Sequence, residues 1–295
     1  MGGNRGRGLL GTEHNSPVVD SGTLSRSTSQ SPRVLVQRST STRSKRRRIG
    51  TGAPAVAKGY VVVQAGIKSL LPNRTWDQTK KRIDELFRNA GGLQSVYIST
   101  VKDIPRLNLT DGVVECYLNP SQASFGFRIN VYNQLNSLSH RFSALRSLAK
   151  KFNQPSHYSI DAGRSYTVKG IFQAPPFLPH LVCITYGVIA VTTAFSVWNG
   201  LLKKRTNATL ATIGAASQAE QLSFGIALGN VIAHELRHQL GLSKTGVALG
   251  HTGSGLGMDG ADFANPNIRF SDGDAIRGNL AKLRQIQNKY ELSRL

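Results

Sequence analysis

The order of strand-like and helix-like segments predicts an α+β fold for residues 59–295, and residues 1–58 form a separate tail. Three observations carry this prediction. YVVVQ, which begins at Tyr60, is a β-branched run typical of a buried strand, and an amphipathic helix follows it. Apolar alternation in SVYIST, VVECYL and FRINVY then indicates several more strands. A long helix that begins near Ser217 comes after them.

The first helix is predicted to begin at Thr75, because Thr75 and Gln78 have the spacing of a capping box. It continues through WDQTKKRIDELFRNAG and ends at Gly91 and Gly92. Apolar residues recur at the helical period, so one face of this helix is expected to be buried. The members of that face are Trp76, Ile83, Leu86 and Phe87.

Residues 170–202 contain no Asp, Glu, Lys or Arg, and the core of this segment, 181–198, is long enough to cross a bilayer. The cationic run at 203–205 is typical of a stop-transfer flank. Three prolines between 175 and 179, and a high density of Val, Ile and Thr around Gly187, instead favour two buried strands joined closely. We expect core strands here, with a membrane span as the alternative.

Basic charge and low complexity characterise residues 1–58, in a chain whose formal net charge is +21. This segment is rich in Gly, Ser, Thr and Arg and shows no apolar period, so we expect a disordered tail. Its KRRR run at 45–48 is interpreted as a solvated cluster, a patch for nucleic acid or nuclear targeting, or part of an organellar transit segment. The charge favours nucleic acid or another anionic surface as partner. No secretory signal is expected, because no apolar stretch follows the first charges, and an intracellular or organellar location is favoured.

The sequence H-E-x-x-H at His234, Glu235 and His238 is the strongest chemical signal in the chain. Ser217–Glu220 forms a capping box that begins the helix carrying it. On a helix, residues four apart face the same way, so the two imidazoles can bind one Zn²⁺ while Glu235 acts as a base beside them.

A catalytic zinc usually has three protein ligands, so a third ligand is needed after the helix. Gly241 can end the helix in a left-handed turn that returns the chain toward the metal. The position ten residues after His234 is Lys244, which has no lone pair to donate at neutral pH. If residues 243–249 are treated as an insertion, His251 takes the ligand position. The alternatives are Asp259, Asp262 and Glu291.

With this insertion the chain resembles the metzincin zinc endopeptidases, and most nearly the matrixin-like members, in its H-E-x-x-H-x-x-G-x-x-H pattern. Those enzymes place a methionine in a tight turn under the zinc, and Met258 follows His251 by seven residues. RFSDGDAIRGNLAKL, from Arg269, is similar to the closing helix of the family. The chain departs from the family in its inserted loop, in Arg237, where small residues are common, and in lacking a tyrosine just after the methionine.

The resemblance implies a zincin-like catalytic domain with a twisted mixed sheet, a long N-terminal helix, an active-site helix and a C-terminal helix. It also implies a zinc endopeptidase that acts on a protein or peptide, in which Glu235 takes a proton from the metal-activated water. Gly241 and Met258 would support the site structurally. The alternative is a basic scaffold or nucleic-acid-binding protein whose zincin-like domain does not turn over substrate.

Overall fold

The structure is a computed structural model that describes residues 56–104, 108, 110–122, 162–174, 178–201, 209–240, 250–258 and 261–289. Residue 101, residues 164–174 and 178–186, and residues 286–289 are described by their backbone alone. The predicted tail lies outside this range up to residue 55. The first strand begins at Ala57, two residues before the predicted domain boundary. FRINVY at 127–132 also lies outside the described residues.

A five-stranded mixed sheet forms the centre of the described structure, in the order β2-β1-β3-β5-β4. Its strands are β1 (Ala57–Val63), β2 (Leu93–Ile98), β3 (Gly112–Tyr117), β4 (Gly163–Ala174) and β5 (Leu178–Ala190). The first three and β5 are parallel, and β4 pairs antiparallel with β5 at one edge. Together with the helices, this sheet confirms the predicted α+β class.

The predicted start of the first long helix was wrong. A short helix, α1 (Ala65–Leu70), precedes it, and α2 (Asn73–Arg88) begins two residues before Thr75, with Pro72 at its N-cap. Thr75 is fully buried inside α2, where its hydroxyl donates to the Gln221 carbonyl at 3.3 Å instead of capping. The Pro72 carbonyl accepts from the backbone N–H groups of Thr75 and Trp76, and no side chain caps the helix. Of the predicted buried face, Trp76 is only partly buried, and the other three members are buried as expected.

The predicted second strand within 181–198 was also wrong, because α3 (Val191–Leu201) follows β5 directly. Its buried residues lie at the i, i+3, i+4, i+7 positions of a helix. They are Val191, Ala194, Phe195 and Trp198. The helical spacing of the apolar residues therefore outweighed the strand preference of the β-branched ones. The apolar face of α3 packs against the site helix through the Phe195–Phe224 ring contact. In the described part of the chain, no helix is long and apolar enough to cross a bilayer.

The site helix, α4 (Gln218–Gln239), begins at the predicted capping box. Ser217 accepts from the Glu220 backbone N–H, and the Glu220 carboxylate accepts from the Ser217 N–H, which confirms that prediction. From Ala227 to Gln239 every residue of α4 is buried. The last helix, α5 (Gly273–Lys289), begins within the segment 269–283 that was expected to close the domain and continues beyond it.

Candidate metal centre

Two histidines one turn apart on α4 form the base of the candidate site. His234 and His238 are 5% and 6% exposed, and their Nε2 atoms lie 3.0 Å apart. Two nitrogens about 2.05 Å from a tetrahedral zinc would lie about 3.3 Å apart, so a small rotation of the rings suffices to admit the ion. The helix period thus produces the convergence that the sequence predicts.

His251 returns to these two rings from the segment 250–258. Its ring centroid lies 5.3 Å from that of His234 and 5.0 Å from that of His238. One nitrogen of each of the three rings lies within 4.8 Å of the others. The structure therefore brings together all three predicted ligands, although ten residues of sequence separate the end of α4 from Gly250.

The other predicted positions have different outcomes. Asp262 is exposed and accepts a hydrogen bond from the Ala264 backbone N–H, and it does not belong to the histidine cluster. Asp259, Glu291 and Gly241 lie outside the described residues, as does the inserted segment 243–249.

A tight turn that contains Met258 supports His234 from its backbone. The His234 Nδ1 atom lies 2.6 Å from the Leu256 carbonyl oxygen, which can only accept, so the ring proton is on Nδ1. The Nε2 lone pair is then free to face the other histidines. The turn is held by a hydrogen bond from the Met258 N–H to the Gly255 carbonyl and one from the Thr252 N–H to the Gly257 carbonyl. Met258 thus lies in the same turn as Leu256, whose carbonyl contacts His234.

The protonation of His234 suits a metal ligand. Burial is the largest cause that lowers its pKa, to about 4, and the charges of His251 and Arg237 lower it further. The hydrogen bond to Leu256 opposes this shift without cancelling it. The ring is consequently neutral at pH 7, which is the state that binds a metal ion. Three imidazoles, of which two are buried, form a donor set that fits Zn²⁺.

Glu235 lies on the side of α4 that faces the sheet, between the two strands at the β4 edge. A Cβ placed on Gly163 of β4 would lie 2.7 Å from Glu235 Oε1, and one on Gly187 of β5 would lie 3.0 Å from Glu235 Cβ. Glu235 is 4% exposed. Its side chain packs so closely against the two strands that only glycine fits at the facing positions. The edge strand and the candidate base are therefore direct neighbours.

The same close approach continues along the sheet, where Gly59 and Gly112 face Leu236. Gln239, at the end of α4, accepts a hydrogen bond from the Val113 backbone N–H of β3 and donates one to the Glu235 carbonyl. These contacts set the height of α4 above the sheet and so the position of the histidines it carries.

No protein-family model, curated protein or solved structure matches this chain.

Sequence reasoning missed three residues that shape the site. Phe263 packs edge-on against the His234 ring at 5.7 Å. Arg237, which was noted only as a departure from the family, is buried and forms a salt bridge with Asp272. Asp272 directly precedes α5, and its carboxylate accepts from Arg237. The one available signal was an arginine inside an otherwise buried stretch of helix, since such a charge needs a partner.

Proposed function

We propose that this chain is a zinc-dependent endopeptidase of the metzincin type. The observation that carries the proposal is the convergence of His234, His238 and His251, since the third histidine meets the other two from a separate segment. Helix geometry alone brings two histidines together, but it does not bring a third one from a segment that ten residues of sequence separate from the end of the helix. A convergent trio of buried and half-buried imidazoles is typical of a catalytic zinc site with one coordination position left for water or substrate.

When bound, Zn²⁺ supplies a Lewis acid that polarises a peptide carbonyl and makes a water molecule acidic enough to attack at neutral pH. Glu235 accepts the proton of that water on its carboxylate and delivers it to the leaving amine nitrogen as the C–N bond breaks. Its confined position against Gly163 restricts the rotamers of the side chain, which favours a fixed path for the proton. His234 keeps its own proton on Nδ1, held by the Leu256 carbonyl, so it does not compete as an acid.

The β4 edge supports a peptide as the substrate class. Among the described strands, β4 pairs only with β5, and an extended peptide would add along its other side. In the family the substrate lies along an edge strand, and here that strand runs next to Glu235 at Gly163. The described fold also supports a zincin-like domain. It has a mixed sheet with one antiparallel edge strand, the long helix α2 before the site helix, and a turn with Met258 after it.

The test is cleavage of an unfolded protein such as casein by the purified full chain, with zinc content measured on the same sample. We expect about one zinc per chain, loss of cleavage with a chelator and its return with added Zn²⁺. Glu235→Gln should keep the metal and lose about 10²- to 10⁴-fold of the rate, because only the base is removed. Glu85→Gln, at a partly exposed position of α2 where the carboxylate pairs with Arg269, is the control and should retain full activity.

His251→Ala should lower zinc affinity, since it removes one of three ligands. A protein that binds no zinc with all three histidines intact would contradict the proposal. A protein that binds zinc but cleaves none of several unfolded substrates, with or without Glu235→Gln, would instead support the non-catalytic scaffold.

A further inference from the structure

Arg237 lies between the two ligand-bearing turns of α4 and links them to the segment that carries His251. Its side chain is 1% exposed, so almost none of its charge is solvated by water. Burial of a guanidinium at this depth is costly unless its donors are paired. Nε and Nη2 of Arg237 are paired, whereas Nη1 has no hydrogen-bond partner among the described residues. The hydrogen-bond partners of Nε and Nη2 indicate what the residue does.

The first partner is Asp272, at the start of α5. Arg237 Nε lies 3.1 and 3.0 Å from the two carboxylate oxygens of Asp272, and Nη2 lies 2.6 Å from Oδ2. This fork-like pairing fixes the plane of the guanidinium, which a single hydrogen bond would leave free to rotate. The carboxylate therefore orients Arg237 toward its second partner.

The second partner is the carbonyl of Gly250, which accepts from Nη2 at 2.9 Å. Gly250 directly precedes His251, so this bond holds the backbone of the third histidine to the helix that carries the other two. The contact is made beyond the ten residues of sequence that follow the end of α4. Closing a loop costs more entropy as the loop lengthens, and an anchor at its end opposes that cost.

The turn behind the site rests on the same guanidinium. A Cβ on Gly257 would lie 2.8 Å from Arg237 Nε and 2.9 Å from Cζ, so the peptide next to Leu256 packs directly on the planar group. The Leu256 carbonyl in turn accepts a hydrogen bond from His234 Nδ1. One side chain thus contacts both ends of the segment 250–258, at Gly250 and at Gly257.

We propose that Arg237, oriented by Asp272, is a positioning residue that sets His251 against His234 and His238 and so sets the affinity of the site for its metal. This inference rests on the metal site of the proposed function, though not on proteolysis. The guanidinium touches neither metal nor substrate and acts through the Gly250 carbonyl. It also accounts for the presence of arginine at a position where small residues are common in the family that the chain resembles.

The experiment measures zinc affinity, by competition with a chromophoric chelator, for the full chain and for Arg237→Gln, Arg237→Lys and Asp272→Asn. Arg237→Gln should weaken zinc binding about 10- to 100-fold, the range seen when outer-shell partners of metal ligands are removed. Arg237→Lys keeps the charge and one donor to Gly250, so it should recover part of the affinity. The visible spectrum of the Co²⁺-substituted protein should change with Arg237→Gln, because the third imidazole is displaced.

Arg82 provides a control for a merely structural role. It is as buried as Arg237, at 2% exposure, and it likewise joins a backbone carbonyl, that of Ile268 at 2.6 Å, together with the Asn230 side chain at 2.7 Å. None of these partners belongs to the segment 250–258. Arg82→Lys should therefore lower thermal stability, as Arg237→Lys does, and leave zinc affinity and the cobalt spectrum unchanged.

A second measurement tests the positioning without any metal. Hydrogen exchange of the metal-free protein should show faster exchange at the amides of Thr252 and Leu256 in Arg237→Gln than in Arg82→Lys, since both amides are hydrogen-bonded within or next to the anchored segment. Unchanged exchange there, or wild-type zinc affinity and cobalt spectrum in Arg237→Gln, would overturn the inference. A wild-type chain that binds zinc but cleaves nothing would sink the proteolytic function alone and leave this inference standing.

Discussion

The crossing of α2 and α4 at Gly225 offers a sharp test of the structure. A Cβ on Gly225 would lie 2.7 Å from the Thr75 carbonyl oxygen and 2.9 Å from Gln78 Cβ. The first of these atoms belongs to the α2 backbone and cannot rotate away. Gly225→Ala must therefore push the two helices apart. This movement would also stretch the hydrogen bonds from the Thr75 hydroxyl to the Gln221 carbonyl and from the Thr79 hydroxyl to the Gly225 carbonyl.

The size of the effect follows from two opposing contributions. Alanine is favoured over glycine inside a helix by about 1 kcal/mol. Overpacking at a backbone contact, with strain on the two threonine hydrogen bonds, costs about 2–4 kcal/mol. The free energy of unfolding should thus fall by about 1–3 kcal/mol, against the sign of the intrinsic helix preference.

Gly278 of α5 is the matched control, because it is exposed and a Cβ there has no atom within 4 Å. Gly278→Ala should raise the free energy of unfolding by up to about 1 kcal/mol. Both variants are compared with wild type by urea unfolding of the metal-free chain, followed by circular dichroism. If Gly225→Ala were as stabilising as Gly278→Ala, the two helices could not cross as closely as described.

Two further predictions concern the site itself. Gly163→Ala should displace the Glu235 carboxylate, whose Oε1 lies 2.7 Å from the new Cβ, and so slow cleavage at unchanged zinc content. Gly253→Ala, which meets no atom within 4 Å, is its control, and equal rates for the two variants would refute the contact. Because burial lowers the pKa of His234 from 6.5 to about 4, the unfolded chain gains this proton between those pH values while the folded chain does not. The stability of the metal-free protein should therefore fall on acidification through this window, by about 3 kcal/mol at pH 4 relative to His234→Gln, and a pH-independent difference would contradict the shift.

Much of the site could be predicted because its logic is local. The helix period places His234 and His238 together, and a capping box at Ser217 begins the helix that carries them. His251 was found by treating 243–249 as an insertion, which needed only the motif spacing. The turn of Met258 followed from the same alignment.

The errors arose where local patterns competed. Thr75 and Gln78 have the spacing of a capping box, but α2 begins before them, where the Pro72 carbonyl accepts from the Thr75 N–H, and Thr75 was needed inside the helix crossing. Between Val191 and Leu201 the β-branched composition favoured a strand, while the apolar spacing was helical and decided the outcome through packing on Phe224. Intrinsic preference was overruled by tertiary contact in both cases.

Long-range pairing explains what sequence reasoning could not supply. Arg237 and Asp272 are 35 residues apart, and no spacing rule connects them. Likewise, the glycines that admit Glu235, Gly163 and Gly187, belong to two strands whose register is fixed only when β4 and β5 pair. Such contacts depend on the assembled sheet rather than on any short motif.

The complete enclosure of α4 from Ala227 to Gln239 has a consequence for how this protein can be changed. Most substitutions in a helix that is packed on every side create a cavity or a clash, so few should be tolerated between Ala227 and Gln239. Directed evolution toward other substrates is best aimed at exposed residues around the site, for example Ser254, while the sequence of α4 is kept unchanged.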